Sequence, residues 1–241
     1  MTGDRSGTTN LPDAATLARQ GTHALIKPRD AATLILLRRT EGRCEVLAGR
    51  RSDKHKFMPG VYVFPGGRRD PDDSRVRVAG ALSAAIEAKL SYKAGSRMNA
   101  TRMRALAVAA LRETYEEAGL MIGAPSPDPS ARLPFMPDIS RLRLVARAIT
   151  PPGRSRRFDT RFFAVFADEI ALDLSTLRAS EELENLEWID ISETGRLKMP
   201  DITLTVLADI HEMLKQSPEL SFESPVPFYY MRQGKFVRET I

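Results

Sequence analysis

Cysteine is almost missing: Cys44 stands alone in 241 residues. An internal disulfide is therefore excluded, and a reducing compartment is the natural setting. Histidine is nearly as scarce, and His23, His55 and His211 show none of the spacing of a histidine metal site. Long apolar runs are absent. No stretch approaches the roughly 18 to 20 residues that span a bilayer, so no membrane partner is expected. Met1 to Asn10 is polar and lacks the apolar core of a secretory signal, and residues 1–20 are expected to form a loose tail. Glu239-Thr240-Ile241 carries no S-K-L peroxisomal address, so a cytoplasmic location is the expectation. Nor does one sign of charge dominate. Thirty-six basic against 31 acidic residues leave +5, dispersed along the chain, which suits small anionic ligands and gives no footprint for nucleic acid.

What is present suffices for a globular protein. With 42% hydrophobic and 28% charged residues, the chain can bury a substantial core, and residues 21–241 read as a single domain. Ala31 to Arg39 and Cys44 to Arg50 read as strands joined by a hairpin at Thr40-Glu41-Gly42-Arg43. Further strands are expected at Val61 to Phe64, Arg141 to Thr150, Thr160 to Ala167 and Leu186 to Ile189. Helical spacing marks Ile202 to Lys215, after a short helix from Ser192. Val76 to Tyr92, rich in Ala, Leu and Ile, also reads as helix, whereas the Pro-rich connector Ala124 to Pro137 is expected to be irregular. The C-terminal extension, residues 217–241, is expected to add an edge hairpin. Interleaved strands and helices of this kind predict an α/β fold with a mixed sheet between helical layers.

One segment carries chemistry. Arg112-Glu113-Thr114-Tyr115-Glu116-Glu117-Ala118-Gly119 places three carboxylates at i, i+3 and i+4 of a helix, with Ala107, Leu111, Thr114 and Ala118 on the opposite side, and stops at glycine. Like charges this close repel, so a helix that keeps them needs compensation. Hard oxygen donors suit Mg²⁺ or Mn²⁺, which would supply it, with Arg112 fixing a carboxylate rotamer. A solvated acidic face with a glycine cap is the other reading of the same residues. Upstream, Phe64-Pro65-Gly66-Gly67 follows Val61-Tyr62-Val63, a strand running into a turn whose bare backbone a phosphate can approach.

Together, the glycine turn and R-E-x-x-E-E-x-G resemble the Nudix box, G-x5-E-x7-R-E-U-x-E-E-x-G-U, of hydrolases that cleave a nucleoside diphosphate linked to another group. The resemblance covers roughly Ala31 to Gln216. It implies an α/β/α sandwich with a mixed central sheet, a divalent cofactor on Glu113, Glu116 and Glu117, and a nucleoside diphosphate as small-molecule partner. Homodimers also occur among such proteins. The match departs from the pattern in three ways. Arg112 follows Gly67 by 45 positions instead of 14, an excess of 31; counting back eight from Arg112 reaches Arg104 rather than a glutamate; and Thr114 replaces an aliphatic residue. A helical insertion over about 68–103, with Asn99 or Thr101 capping the acidic helix, accounts for the excess. Its role as pocket wall or dimer contact, or as a plain surface excursion, stays open.

A second set of residues is similar to the coenzyme A and acyl-CoA diphosphatase branch: Gly49-Arg50-Arg51-Ser52, Met58-Pro59-Gly60, Phe64-Pro65-Gly66-Gly67, then Asp70, Asp72 and Asp73, and later Thr150-Pro151-Pro152-Gly153 before Arg156-Arg157-Phe158. Arg50 and Arg51, and the basic loop with Arg154, Arg156 and Arg157, are candidate clamps for substrate phosphates; solvated surface charge is their ordinary role. Phe57, Met58 and Phe158 are candidates for contact with an adenine or acyl chain, or for the core. The general base implied is Glu113 or a later glutamate among Glu181, Glu182 and Glu184, of which Glu182 is preferred. An ADP-ribose or nucleotide-sugar diphosphatase, or a silent nucleotide-binding module, are the alternatives.

Overall fold

A computed structural model describes residues 26–53, 59–170 and 172–241. In chain order the elements are β1 (Arg29–Thr40), β2 (Arg43–Arg51), β3 (Tyr62–Val63), β4 (Gly66–Arg68), a 3₁₀ turn (Pro71–Arg75), α1 (Ala84–Ser91), α2 (Ala100–Ala118), β5 (Gly123–Pro125), β6 (Phe135–Pro137), β7 (Arg143–Ile149), β8 (Phe158–Phe166), β9 (Leu183–Asp190), a 3₁₀ turn (Ile191–Arg196), α3 (Asp201–Gln216), β10 (Pro227–Arg232) and β11 (Lys235–Thr240). The main sheet runs β11-β10-β7-β8-β1-β2-β3, with β4 also beside β1 and β9 beside β2. β1 pairs parallel with β8, and β10 parallel with β7, while the other pairs are antiparallel. The sheet is therefore mixed.

Strand alternation explains the layers. Along β1, Leu34 and Leu36 join one buried cluster and Ile35 and Leu37 the other; along β8, Phe163 and Val165 divide from Phe162, Ala164 and Phe166 in the same way. The first face is covered by Ile86 and Leu90 of α1 and by Leu106, Ala110 and Leu111 of α2; the second by Val206, Leu207 and Ile210 of α3. Apolar residues on both faces are what a sheet between two helical layers requires. The expected α/β/α sandwich is the observed fold. Among the described residues no helix is long and apolar enough to cross a membrane.

α2 is defined at both ends by its own residues. Asn99 accepts from the Arg102 amide at 2.9 Å, and Gly119 adopts φ 76°, where an added Cβ would lie 2.7 Å from the Thr176 carbonyl. Ion pairs then fix its start to the sheet. Arg102 Nε donates to Asp30 Oδ2 at 2.6 Å, and the buried Arg161 lies 3.3 Å from Asp30 Oδ1 and 3.0 Å from Asp159 Oδ2.

Two expectations differ from the structure. The insertion holds one eight-residue helix instead of a helix from Val76 to Tyr92. Val76, Val78 and Gly80 are poor helix formers, the bare Cα of Gly80 is pressed against Asp138, and Ser83 starts α1 by accepting from the Ile86 amide. Ahead of it, Asp70 and Asp73 form a capping box around a 3₁₀ turn. The Pro-rich connector is not irregular throughout: β5 and β6 pair across Gly123 and Pro137, a two-stranded edge that tolerates proline. The C-terminal hairpin is present and continues the sheet through Phe228 and Tyr229, which pair with β7 and are buried.

Candidate functional site

β4 and α2 meet without side chains between them. Gly66 and Gly67 pair with Thr33 and Ala32 of β1, and the Gly66 amide donates to Glu117 Oε2 at 3.1 Å. A Cβ on Gly67 would run into the Glu113 carboxylate; one on Gly66 would stand 2.8 Å from the Ala32 carbonyl oxygen. Only glycine at both positions allows this approach.

Arg112 lies behind this contact, 4% exposed, and orients it. Its Nη1 donates to Glu113 Oε1 and Glu116 Oε2, both at 2.8 Å; Nε donates to Asp73 Oδ1 at 2.8 Å, and Nη2 to Asp73 Oδ2 at 3.2 Å and the Arg68 carbonyl at 3.1 Å. Asp73 is fully buried. This corrects the reading that the box lacks its first acid. Asp73 follows Gly67 by six positions, where G-x5-E has its glutamate, so the extra residues fall after that acid and not before it. Counting forward from the glycine finds it; counting back from the arginine crosses the insertion and misses it. Arg104 instead donates to the Ser74 carbonyl at 2.7 Å. Thr114 bonds the Ala110 carbonyl at 2.8 Å, which satisfies its hydroxyl on the buried side of α2.

A cavity of about 990 Å³ opens over the turn. It brings together Arg51, Gly66, Gly67, Glu113, Glu117, Arg156, Arg157 and Glu182. Arg112 supports the wall from behind. Glu116 is half-exposed, turned to Arg112 and absent from the lining. Arg50 is also absent: it pairs with Asp53 at 2.8 Å and Glu184 at 4.0 Å. Neighbouring residues of a strand point to opposite faces, so Arg50 and Arg51 cannot both turn inward. Arg29, Thr33, Arg68 and Ser155 also line the cavity and were not anticipated. His23, His55, Phe57 and Met58 lie outside the described residues.

Electrostatics distinguish the carboxylates. Burial raises Glu113 above the ordinary carboxylate range against the pull of Arg112. Burial, then the Glu113 charge, pushes Glu117 up to about 8, although the Gly66 amide and Arg51 oppose the rise. Ionising both carboxyls at the turn is therefore disfavoured in the absence of a cation. Among the described residues no three acidic, histidine or cysteine side chains stand close enough to cage an ion, since Glu116 leans to Arg112. The donor chemistry nonetheless fits: Glu113, Glu117 and Glu182 are hard oxygen ligands sharing one lining, and a divalent cation would relieve their repulsion.

A helix–sheet–helix sandwich whose R-E-x-x-E-E helix docks on a glycine turn defines an α/β protein of the Nudix type. No family model matches the chain. It is 29% identical over 195 residues to nudix hydrolase 7 of Caenorhabditis elegans, covering 71% of this chain and 57% of that one. To the acyl-coenzyme A diphosphatase NUDT19 of Gallus gallus it is 28% identical over 204 residues, covering 56% and 54%. The crystal structure of a NUDIX hydrolase from Alicyclobacillus acidocaldarius superposes with a TM-score of 0.57 at 27% identity, over 77% of this chain and 91% of that one. In sequence and in fold the chain is similar to Nudix hydrolases. It spans little more than half the length of the two curated relatives.

Proposed function

We propose that this protein is a divalent-metal-dependent hydrolase that cleaves the diphosphate linkage of coenzyme A or acyl-CoA, releasing 3′,5′-ADP and (acyl-)phosphopantetheine. One observation carries the reading: a single cavity gathers Glu113, Glu117 and Glu182 at a side-chain-free turn together with arginines. The motif resemblance to the coenzyme A branch, and a relative named as an acyl-coenzyme A diphosphatase, support the substrate.

Glu113 and Glu117 would hold Mg²⁺ or Mn²⁺, which when bound supplies neutralisation of the diphosphate and a lowered pKa for water. Gly66 and Gly67 let Glu113 and Glu117 seat against bare backbone beside the cavity. Arg51 meets the charge of the diphosphate, and Arg112 keeps Glu113 oriented. Water attacks phosphorus, the anhydride P–O bond breaks, and the proton passes to a carboxylate. Glu182, the cavity acid outside α2, is the base of choice.

The test is chromatographic measurement of 3′,5′-ADP released from coenzyme A and acyl-CoA at millimolar Mg²⁺ or Mn²⁺, beside ADP-ribose and dinucleoside polyphosphates. Higher kcat/KM on the coenzyme A substrates is expected. Preference for ADP-ribose would replace the substrate, and no turnover of any diphosphate would replace catalysis with binding.

A further inference from the structure

We propose that Arg29 is a specificity-determining residue: with Arg156 and Arg157 it forms a second anion subsite, at the end of the cavity away from Glu117, that takes a phosphomonoester carried on the nucleoside of the substrate. The inference deepens the function proposed above and rests on it for the identity of the nucleotide.

Strand register supplies the geometry. Residues 29, 31 and 33 of β1 share one face, and all three line the cavity. Thr33 pairs with Gly66, beside the bond to Glu117; Ala31 pairs with Arg68; Arg29 pairs with Phe158. At about 3.3 Å per residue, Arg29 lies roughly 13 Å along the strand from Thr33. A nucleoside together with an arginine side chain can bridge that separation. The acids and the glycine turn therefore occupy one end, and Arg29, Ser155, Arg156, Arg157 and Phe158 the other.

The cations at this end are held for use. Arg157 is anchored by Nε to the Thr150 carbonyl at 3.0 Å and by Nη1 to the Ile26 carbonyl at 2.7 Å, and its own carbonyl accepts the Arg29 amide at 2.9 Å. The Arg29 guanidinium has no hydrogen bond or ion pair among the described residues. On the opposite face of the same strands, by contrast, Arg102, Arg147 and Arg161 are all matched by Asp30 or Asp159. Five guanidinium groups and three carboxylates line the cavity. A bare diphosphate placed against Glu113 and Glu117 leaves the Arg29 guanidinium unmatched. A nucleotide with a separate phosphomonoester, the chemistry that distinguishes coenzyme A from ADP-ribose, fills both ends, with Phe158 offering a face to the base.

The experiment compares wild type, Arg29→Gln and, as a control outside the cavity, Arg196→Gln. Kinetics on coenzyme A and 3′-dephospho-coenzyme A are paired with calorimetric binding of 3′,5′-ADP and 5′-AMP. Wild type is expected to favour the 3′-phosphorylated member of each pair by about tenfold or more, as one charge-assisted contact supplies. Arg29→Gln should erase most of that preference through KM, with Arg196→Gln like wild type. Equal treatment of the members of each pair by wild type, or an equal loss on both in Arg29→Gln, overturns the subsite. Absence of hydrolysis with the binding preference present, and lost in Arg29→Gln, upholds the subsite while removing the hydrolase reading.

Discussion

Glu117 is the residue on which fold and chemistry conflict most. The residue is 8% exposed, and its carboxyl is pushed up to about 8, first by burial and then by Glu113. In metal-free protein the neutral form favours the fold. That contribution is complete below the ordinary carboxylate value of 4.5 and is lost as pH rises through about 8, because the unfolded chain ionises first. Glu117→Gln in EDTA should therefore melt like wild type near pH 4.5 and increasingly above it toward pH 8, and Mg²⁺ should narrow the gap by stabilising wild type alone. A gap independent of pH would mean that Glu117 is not buried as described. The same variant should lose at least ~10²-fold in kcat. Asp73 is the complementary case, a buried acid whose partner is a cation. Asp73→Asn leaves Arg112 short of a charge and should cost about 3 kcal/mol in denaturant unfolding; wild-type stability would remove Asp73 from the support of α2. This residue was legible in the sequence, six positions from Gly67. Arg51 was not separable from Arg50, since a register shift in β2 between Ala48 and Arg50 hides which of the two turns inward.

Among the elements, α2 was readable almost entirely, because its periodicity, Asn99 cap and Gly119 stop are local signals. The glycine turn was readable as a turn, but not as a strand clasped between β1 and α2, since that contact joins residues about fifty positions apart. The insertion was misjudged for a related reason: Ala and Leu content suggests helix wherever it occurs, while Gly80 is committed to Asp138 and Lys89 to the carbonyls of Phe222 and Ser224, all distant in sequence. The two glycines of the turn should now behave differently. In Gly66→Ala the new methyl meets backbone, the Ala32 carbonyl and the Thr33 Cα, both at 2.8 Å, so the protein should lose about 1–3 kcal/mol and melt earlier. In Gly67→Ala the three atoms nearest the methyl all belong to the Glu113 carboxylate, the far end of a side chain that can rotate away. Melting should stay close to wild type while kcat/KM drops about 10²-fold, as a displaced acid predicts. Equal thermal losses in both variants would refute the assignment of Gly67 to the site and Gly66 to the fold.

For the whole molecule, charge placement matters more than the net +5. Paired arginines fix the sheet to α2 on one face, through Asp30 and Asp159, and arginines line the cavity on the other. A protein arranged in this way attracts polyanions toward the cavity, and the attraction should scale with the charge of the ligand. Salt separates this long-range term from contact chemistry, because the Debye length falls from about 30 Å at 0.01 M to about 8 Å at 0.15 M ionic strength. Over that range kcat/KM for coenzyme A should fall several-fold, mainly through KM, and more steeply than for ADP-ribose, which lacks the phosphomonoester. The slope for coenzyme A should flatten toward that of ADP-ribose in Arg29→Gln, since the variant removes the charge that reads the extra phosphate. Parallel salt slopes for the two substrates in wild type would show that the cavity arginines act only at contact, and that the asymmetry of charge across the sheet serves the fold alone.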